Sequence, residues 1–166
     1  MNLRPNGDEG FLFYSPLLVG EGLGVRLLKF IQTSRGKIHA VVGGEGDPLI
    51  LVHGLGDVNT WQTWAKNLDA LAMVARVYAL ELLGYGESEE PQETLDAAGH
   101  AEVIRELMER EEIQRASFAG LSWGGLVVQD LATKYPEHVD KLILVDSLFD
   151  SSEEGLAHLR KFERRR

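Results

Sequence analysis

The residues most capable of chemistry form the pentapeptide Gly120-Leu121-Ser122-Trp123-Gly124, which matches the pattern Gly-x-Ser-x-Gly. A strand-like segment precedes it and a helix-like segment follows it, so the serine would occupy a sharp strand-to-helix turn. Such a turn strains the backbone and leaves little room two positions to either side, a demand that Gly120 and Gly124 meet. The pattern therefore predicts that Ser122 stands above a sheet as a nucleophile for acyl transfer.

A second motif, His53-Gly54 followed by Leu55, comes directly after the apolar run at residues 49–52. Acyl transfer needs two backbone N–H groups that point at the developing oxyanion. We expect one from Trp123, just after the nucleophile, and the other from this loop, with Leu55 as its donor. Glycines after a strand can also simply form a turn, and that alternative stands beside the functional one.

The elements that must position these motifs alternate between apolar strands and amphipathic helices. This alternation is typical of an α/β fold with a mostly parallel sheet flanked by helices. Residues 34–36 predict a hairpin between the first two strands. We divide the chain into an N-terminal arm at 1–24, a core at 25–150 and a terminal helix at 151–166. The predicted strands span residues 25–33, 37–42, 49–52, 74–82, 116–119 and 142–145, and the predicted helices follow at 61–71, 97–112, 126–134 and 153–164.

Composition narrows the possible functions. The 166 residues include 17 Lys and Arg against 26 Asp and Glu, a net charge of −9, which argues against a nucleic-acid partner. The absence of cysteine excludes disulfides, thiolate metal sites and a cysteine nucleophile. The N-terminus lacks a secretory pattern and no apolar stretch is long enough for a bilayer, so we expect a soluble cytoplasmic protein without a membrane partner. We see no metal-ligand cluster or nucleotide fingerprint and expect no cofactor.

Taken together, these motifs resemble the α/β-hydrolase fold family over about residues 26–150. The resemblance implies that Ser122 is the nucleophile and that His53 has a structural role in its loop. Serine at this turn separates the chain from the epoxide hydrolase and haloalkane dehalogenase branches and implies a serine esterase that acts on a small carboxylic ester or related acyl compound. The family more often has aspartate where Glu81 stands. The matching segments are residues 49–54 with Trp61, residues 81–88, residues 120–125, Tyr135-Pro136 and residues 141–146.

The resemblance also implies an acid and a histidine that follow the nucleophile in sequence, usually after a seventh and an eighth strand. This chain has six predicted strands, so we expect an α/β-hydrolase fold truncated after the sixth strand, without its own acid and base. His158 is the one histidine both downstream of Ser122 and beyond a strand's carboxyl end, and Asp146 ends a strand. A makeshift Ser122–Asp146–His158 triad is one alternative. In the other, residues 151–166 begin a lid segment and His158 faces solvent.

We expect surface, packing or structural roles for the other histidines, His39, His53, His100 and His138, with His138 at the opposite end of the sheet from Ser122. Two interpretations of function therefore stay open. The chain is a serine hydrolase that is a poor esterase alone, or a catalytically inactive hydrolase-like protein that acts in binding or self-association. An open sheet edge and an uncovered apolar patch near the last strand would favour self-association. An incomplete gene would give the same sequence.

Overall fold

The structure is a computed structural model that describes residues 26–56 and 60–147. These residues form a sheet of six strands, with α-helices and two short 3-10 helices between them. The 3-10 helices are Trp61–Trp64 and Pro136–His138. The elements are β1 (Leu27–Thr33), β2 (Gly36–Gly43), β3 (Pro48–Val52), α1 (Ala65–Ala72), β4 (Arg76–Glu81), α2 (Ala97–Arg110), β5 (Ala116–Leu121), α3 (Trp123–Lys134) and β6 (Val139–Val145).

The strand order is β1-β2-β4-β3-β5-β6. β2 runs antiparallel to both β1 and β4, whereas β3 pairs in parallel with β4 and β5, and β5 pairs in parallel with β6. The carboxyl ends of the four parallel strands therefore meet at one edge of the sheet, which is where α/β folds place their sites.

Helices cover both faces of this sheet. Ile50, Val52 and Leu80 pack on the side of α2 and α3, while their strand neighbours Leu51 and Ala79 pack on the side of α1. This alternation along each strand buries the central strands on both faces, as expected for parallel strands. The predicted α/β fold with a mostly parallel sheet is confirmed.

The predicted hairpin is present between β1 and β2. Thr33 lies opposite Gly36, so Ser34 and Arg35 form the two-residue turn. Gly36 has a φ of +142°, a conformation that side-chain-bearing residues rarely adopt.

Several predicted boundaries differ from the structure. The predicted helix at 61–71 divides into the 3-10 helix Trp61–Trp64 and α1, α2 ends at Arg110 rather than at residue 112, and β5 ends at Leu121 rather than at residue 119. Three starts also differ. β4 begins at Arg76 because Val74, predicted as strand, is 77% exposed and lies in the turn after α1. α3 begins at Trp123, three residues early, because close packing of Gly124 overrides the low helix propensity of glycine. β6 begins at Val139, since pairing with Ala116 starts there although the next two residues are charged.

The arm at residues 1–24, the predicted helix at 153–164 and His158 lie outside the described residues. Among the residues that the structure does describe, no helix is long and apolar enough to cross a membrane.

Candidate active site

Ser122 occupies the turn between β5 and α3 in a strained backbone conformation. Its φ of +50° and ψ of −114° are unusual for a residue with a side chain. The Ser122 N–H donates to the Val145 carbonyl at 3.0 Å, and the Ser122 carbonyl accepts from the Gly125 N–H at 3.0 Å. Hydrogen bonds on both sides thus hold the strained residue in place, which is how such strain persists in a folded protein.

The three glycines around Ser122 are required by contact. A Cβ at Gly120 would lie 2.5 Å from the Gly124 carbonyl oxygen. A Cβ at Gly124 would overlap the His53 carbonyl oxygen, and one at Gly125 would overlap the Ser147 hydroxyl. At Gly120 and Gly124 the turn therefore packs backbone against backbone, which accounts for the two glycines that the sequence motif requires.

The loop after β3 lies against this turn. Val52 is opposite Gly120 in the pairing of β3 with β5, and Gly124 touches the backbone of His53. Leu55, two residues further on, is 51% exposed. The structure thus brings together the two segments predicted to supply oxyanion donors, the start of α3 with Trp123 and the loop with Leu55.

His53 is fully buried, and both of its ring nitrogens are engaged. Its Nε2 lies 3.0 Å from the Leu82 amide nitrogen. Because an amide N–H can only donate, Nε2 is the acceptor and the ring proton is on Nδ1, which donates to the Gly54 carbonyl at 2.7 Å. Burial lowers the pKa of His53 and keeps the ring neutral. His53 therefore holds the peptide unit that joins Gly54 to Leu55.

Asp146 lies beside the turn at the level of the backbone. It follows Val145, which pairs with Leu121, and it has a φ of +43° and an exposed side chain. The next residue, Ser147, donates its hydroxyl hydrogen to the Ser122 carbonyl at 3.4 Å. The pairing of β5 with β6 therefore places Asp146 beside Ser122 at the end of the two strands. The role of Asp146 as an acid stays a prediction.

The other described histidines lie in separate environments. His138 contacts the Gln114 carbonyl at 2.8 Å at the amino ends of the strands, the predicted opposite end of the sheet. His100 is buried at the start of α2, where burial and the nearby His53 lower its pKa to about 4. Within residues 26–56 and 60–147 there is no group of three or more His, Asp or Glu side chains that could hold a metal ion.

A buried histidine–carboxylate hydrogen bond that the sequence interpretation missed lies at the carboxyl end of β4. His39 on β2 and Glu81 on β4 are directly opposite, and their side chains meet at 2.8 Å with 3% and 2% of their surface exposed. Burial acts to raise the pKa of Glu81, but hydrogen bonds from His39 and the Glu87 N–H outweigh it and lower the pKa. The signal in the sequence was two polar residues at inward positions of apolar strands.

Comparisons with known proteins agree with this architecture. A family model described as the alpha/beta hydrolase fold matches residues 47–164. The 2-hydroxymuconate semialdehyde hydrolase of Pseudomonas sp. strain CF600 is 36% identical over 109 residues, which are 63% of this chain and 38% of that protein. The pimeloyl-(acyl-carrier protein) methyl ester esterase of Vibrio atlanticus is 36% identical over 109 residues, which are 64% of this chain and 38% of that protein.

Among solved structures, Cfl2 from Burkholderia cenocepacia aligns with a TM-score of 0.74 and 28% sequence identity. The alignment covers 84% of this chain and 46% of that one. The chain thus spans about a third of the length of the curated relatives and less than half of the solved one.

Proposed function

Because the chain belongs to the α/β-hydrolase fold family, we propose that it carries the nucleophile half of a serine hydrolase, with Ser122 as the attacking residue. The observation that carries the proposal is the positive φ of Ser122, a non-glycine residue clamped between β5 and α3. A strained backbone of this kind costs about 1–3 kcal/mol and is concentrated at functional sites.

The proposed reaction is acyl transfer from a small carboxylic ester or related acyl compound. The Ser122 Oγ forms a bond to the carbonyl carbon, and the bond from that carbon to the departing alkoxy group breaks. The serine proton passes to a base and then to that group, which leaves as an alcohol. Negative charge on the carbonyl oxygen is stabilised by the N–H groups of Trp123 and Leu55. Water then cleaves the acyl-serine bond, which releases the acid and restores Ser122.

We further propose that none of the four described histidines is the base. His53 is occupied by the backbone of its own loop, His138 lies at the far end of the sheet, His100 is buried in α2, and His39 is paired with Glu81. The base then comes from outside the described residues. His158, with the described Asp146 as its acid, is one source. Sequence beyond these 166 residues, supplying both base and acid, is the other and the one we favour.

A fluorophosphonate probe followed by peptide mass spectrometry tests the nucleophile. We expect the label on Ser122, and we expect Ser122→Ala to lose it. Ser34→Ala, a change of the same type in the β1–β2 turn, should keep full labelling. Labelling of another serine, or equal labelling of Ser122→Ala, would contradict the proposal.

A second candidate function, binding through self-association, is favoured by the outer surface of β6. Ile143 and Val145 point to the same face and are 49% and 40% exposed. Sheet strands that expose apolar side chains at an edge tend to pair with another chain. Sedimentation velocity across a hundredfold range of concentration would show a monomer-to-dimer shift, whereas a constant monomer would exclude this function.

A further inference from the structure

We propose that Glu81 is a positioning residue of this site: its buried carboxylate, oriented by His39, holds residues 84–88 against the loop that carries Leu55. The proposal rests on the proposed function, because the group that it positions is the predicted oxyanion donor. It assigns a purpose to a buried charge that the acyl-transfer chemistry itself does not use.

Burying the His39–Glu81 pair costs the fold free energy. The two residues face each other across β2 and β4, and the Phe30 ring on β1 covers the His39 ring at a centroid distance of 4.8 Å. Removing a carboxylate from water costs several kcal/mol unless hydrogen bonds satisfy its oxygens. Apolar residues would stabilise this position more simply, so the carboxylate is retained for what it binds.

What the carboxylate binds is the loop after β4. One oxygen of Glu81 accepts from His39 Nδ1 at 2.8 Å and from the Glu87 N–H at 2.7 Å. The Ser88 hydroxyl donates to the Glu81 carbonyl and accepts from the His39 N–H at 2.8 Å. Gly86 has a φ of +54°, and a Cβ there would overlap the carboxylate. The loop is thus shaped around the Glu81 side chain.

The same loop reaches the oxyanion segment through Tyr85. The Tyr85 ring packs edge-on against the His53 ring, with 4.9 Å between their centroids. His53 Nδ1 donates to the Gly54 carbonyl. Since a peptide unit is planar, fixing the Gly54 carbonyl also fixes the direction of the Leu55 N–H. The Thr60 side chain, which follows the loop after β3, also acts to lower the pKa of Glu81.

The length of the side chain matters in this arrangement. Aspartate would withdraw the carboxylate by one C–C bond, about 1.5 Å. The contact with the Glu87 N–H would then exceed hydrogen-bonding distance. We therefore expect Glu81→Asp to behave like Glu81→Gln rather than like the wild type, although it keeps the charge.

Two measurements on the full chain test the proposal. The first is the hydrogen exchange of backbone amides. The second is the kinetics of Ser122 phosphonylation by the fluorophosphonate probe, from which the inactivation rate constant and the probe affinity are obtained separately. In Glu81→Gln we expect amides 54–56 and 84–88 to exchange faster, and the rate constant to fall about tenfold at unchanged affinity, a fraction of the full loss of an oxyanion donor. His39→Leu should do the same, whereas His39→Asn keeps a donor near the Nδ1 position and should stay near the wild type.

Glu89→Gln is the matched control, because Glu89 directly follows residues 84–88 and its carboxylate accepts from the Lys37 N–H at 2.7 Å, but it is exposed. It should leave both measurements near wild type.

An unchanged rate constant in Glu81→Gln, in protein that melts cooperatively, would overturn the proposal, as would unchanged exchange at residues 54–56. If the wild type is not phosphonylated, the proposed nucleophile fails, and amide exchange still decides the role of Glu81. If Glu81→Gln does not fold, His39→Leu and His39→Asn give the same decision.

Discussion

The carboxyl ends of β5 and β6 lie side by side, yet the two are built in opposite ways. At the end of β5 the backbone packs on itself, with Gly120, Gly124 and the strained Ser122 enclosed by neighbouring carbonyls. On β6, by contrast, Ile143 and Val145 expose apolar surface. From this difference we infer that the described residues suffice to shape the turn that carries Ser122, whereas the apolar surface on β6 is available for another segment or chain.

The largest effect on stability should come from adding one methyl group to the turn that carries Ser122. Gly124→Ala places a Cβ against the His53 and Val52 carbonyls, which are backbone atoms that cannot move aside cheaply. We expect a loss of about 3 kcal/mol in the free energy of unfolding, the upper range for overpacking. Urea unfolding measures it, with Val145→Ala as the comparison on β6. If Val145→Ala cost as much, the contrast between the two strands would be wrong.

A charge on β6 should change association and leave folding intact. Natural edge strands often carry lysine, because its charge prevents the strand from pairing with another chain. We expect Ile143→Lys to weaken self-association at least tenfold, about 1.4 kcal/mol, while the thermal midpoint stays within a few degrees. Sedimentation velocity and thermal melts measure both quantities. Unchanged association would show that β6 is not the contact surface, and a collapse in stability would show that Ile143 belongs to the core.

Removing the side chain of Ser122 should stabilise the protein. Glycine adopts a φ of +50° without the penalty that serine pays, so Ser122→Gly should raise the free energy of unfolding by about 1 kcal/mol while phosphonylation is lost. Ser34→Gly in the hairpin turn is the control and should gain nothing. A Ser122→Gly variant less stable than the wild type would mean that the turn stores no strain.

The smallest expected effect is on the pH dependence of stability, and it comes from Glu81 on β4. This strand lies on the far side of β3 from β5. Because the pKa of Glu81 is lower in the folded than in the unfolded state, its ionised form stabilises the fold above the unfolded pKa. That contribution is lost as the pH falls through the folded pKa. We expect Glu81→Gln to make the unfolding free energy fall less steeply between about pH 5, near the ordinary pKa of glutamate, and the lower folded pKa of Glu81. If the unfolding free energy of Glu81→Gln fell with decreasing pH as steeply as that of the wild type, the lowered pKa of Glu81 would be contradicted.

Much of this architecture followed from local sequence. The hairpin needs Gly36, the turn needs glycines around Ser122, and buried parallel strands need continuous apolar runs, so each was predicted from its own residues. The early start of α3 was missed because it depends on Gly124 meeting the backbone of His53, a contact between distant segments. The Glu81–His39 pair was missed for the same reason, since strand pairing joins residues 42 positions apart.

The pH dependence of Ser122 phosphonylation tests the central claim most directly, that the nucleophile is shaped by these residues while its base is not among the described histidines. Without a histidine base, the rate should rise continuously from pH 6 to about pH 9, because activation depends on hydroxide. A histidine base would give a plateau above its pKa, ordinarily about 6.5. A continuous rise in wild type and His158→Ala alike is the predicted result. A plateau that His158→Ala abolishes would contradict a base from beyond these 166 residues and establish the Ser122–Asp146–His158 alternative.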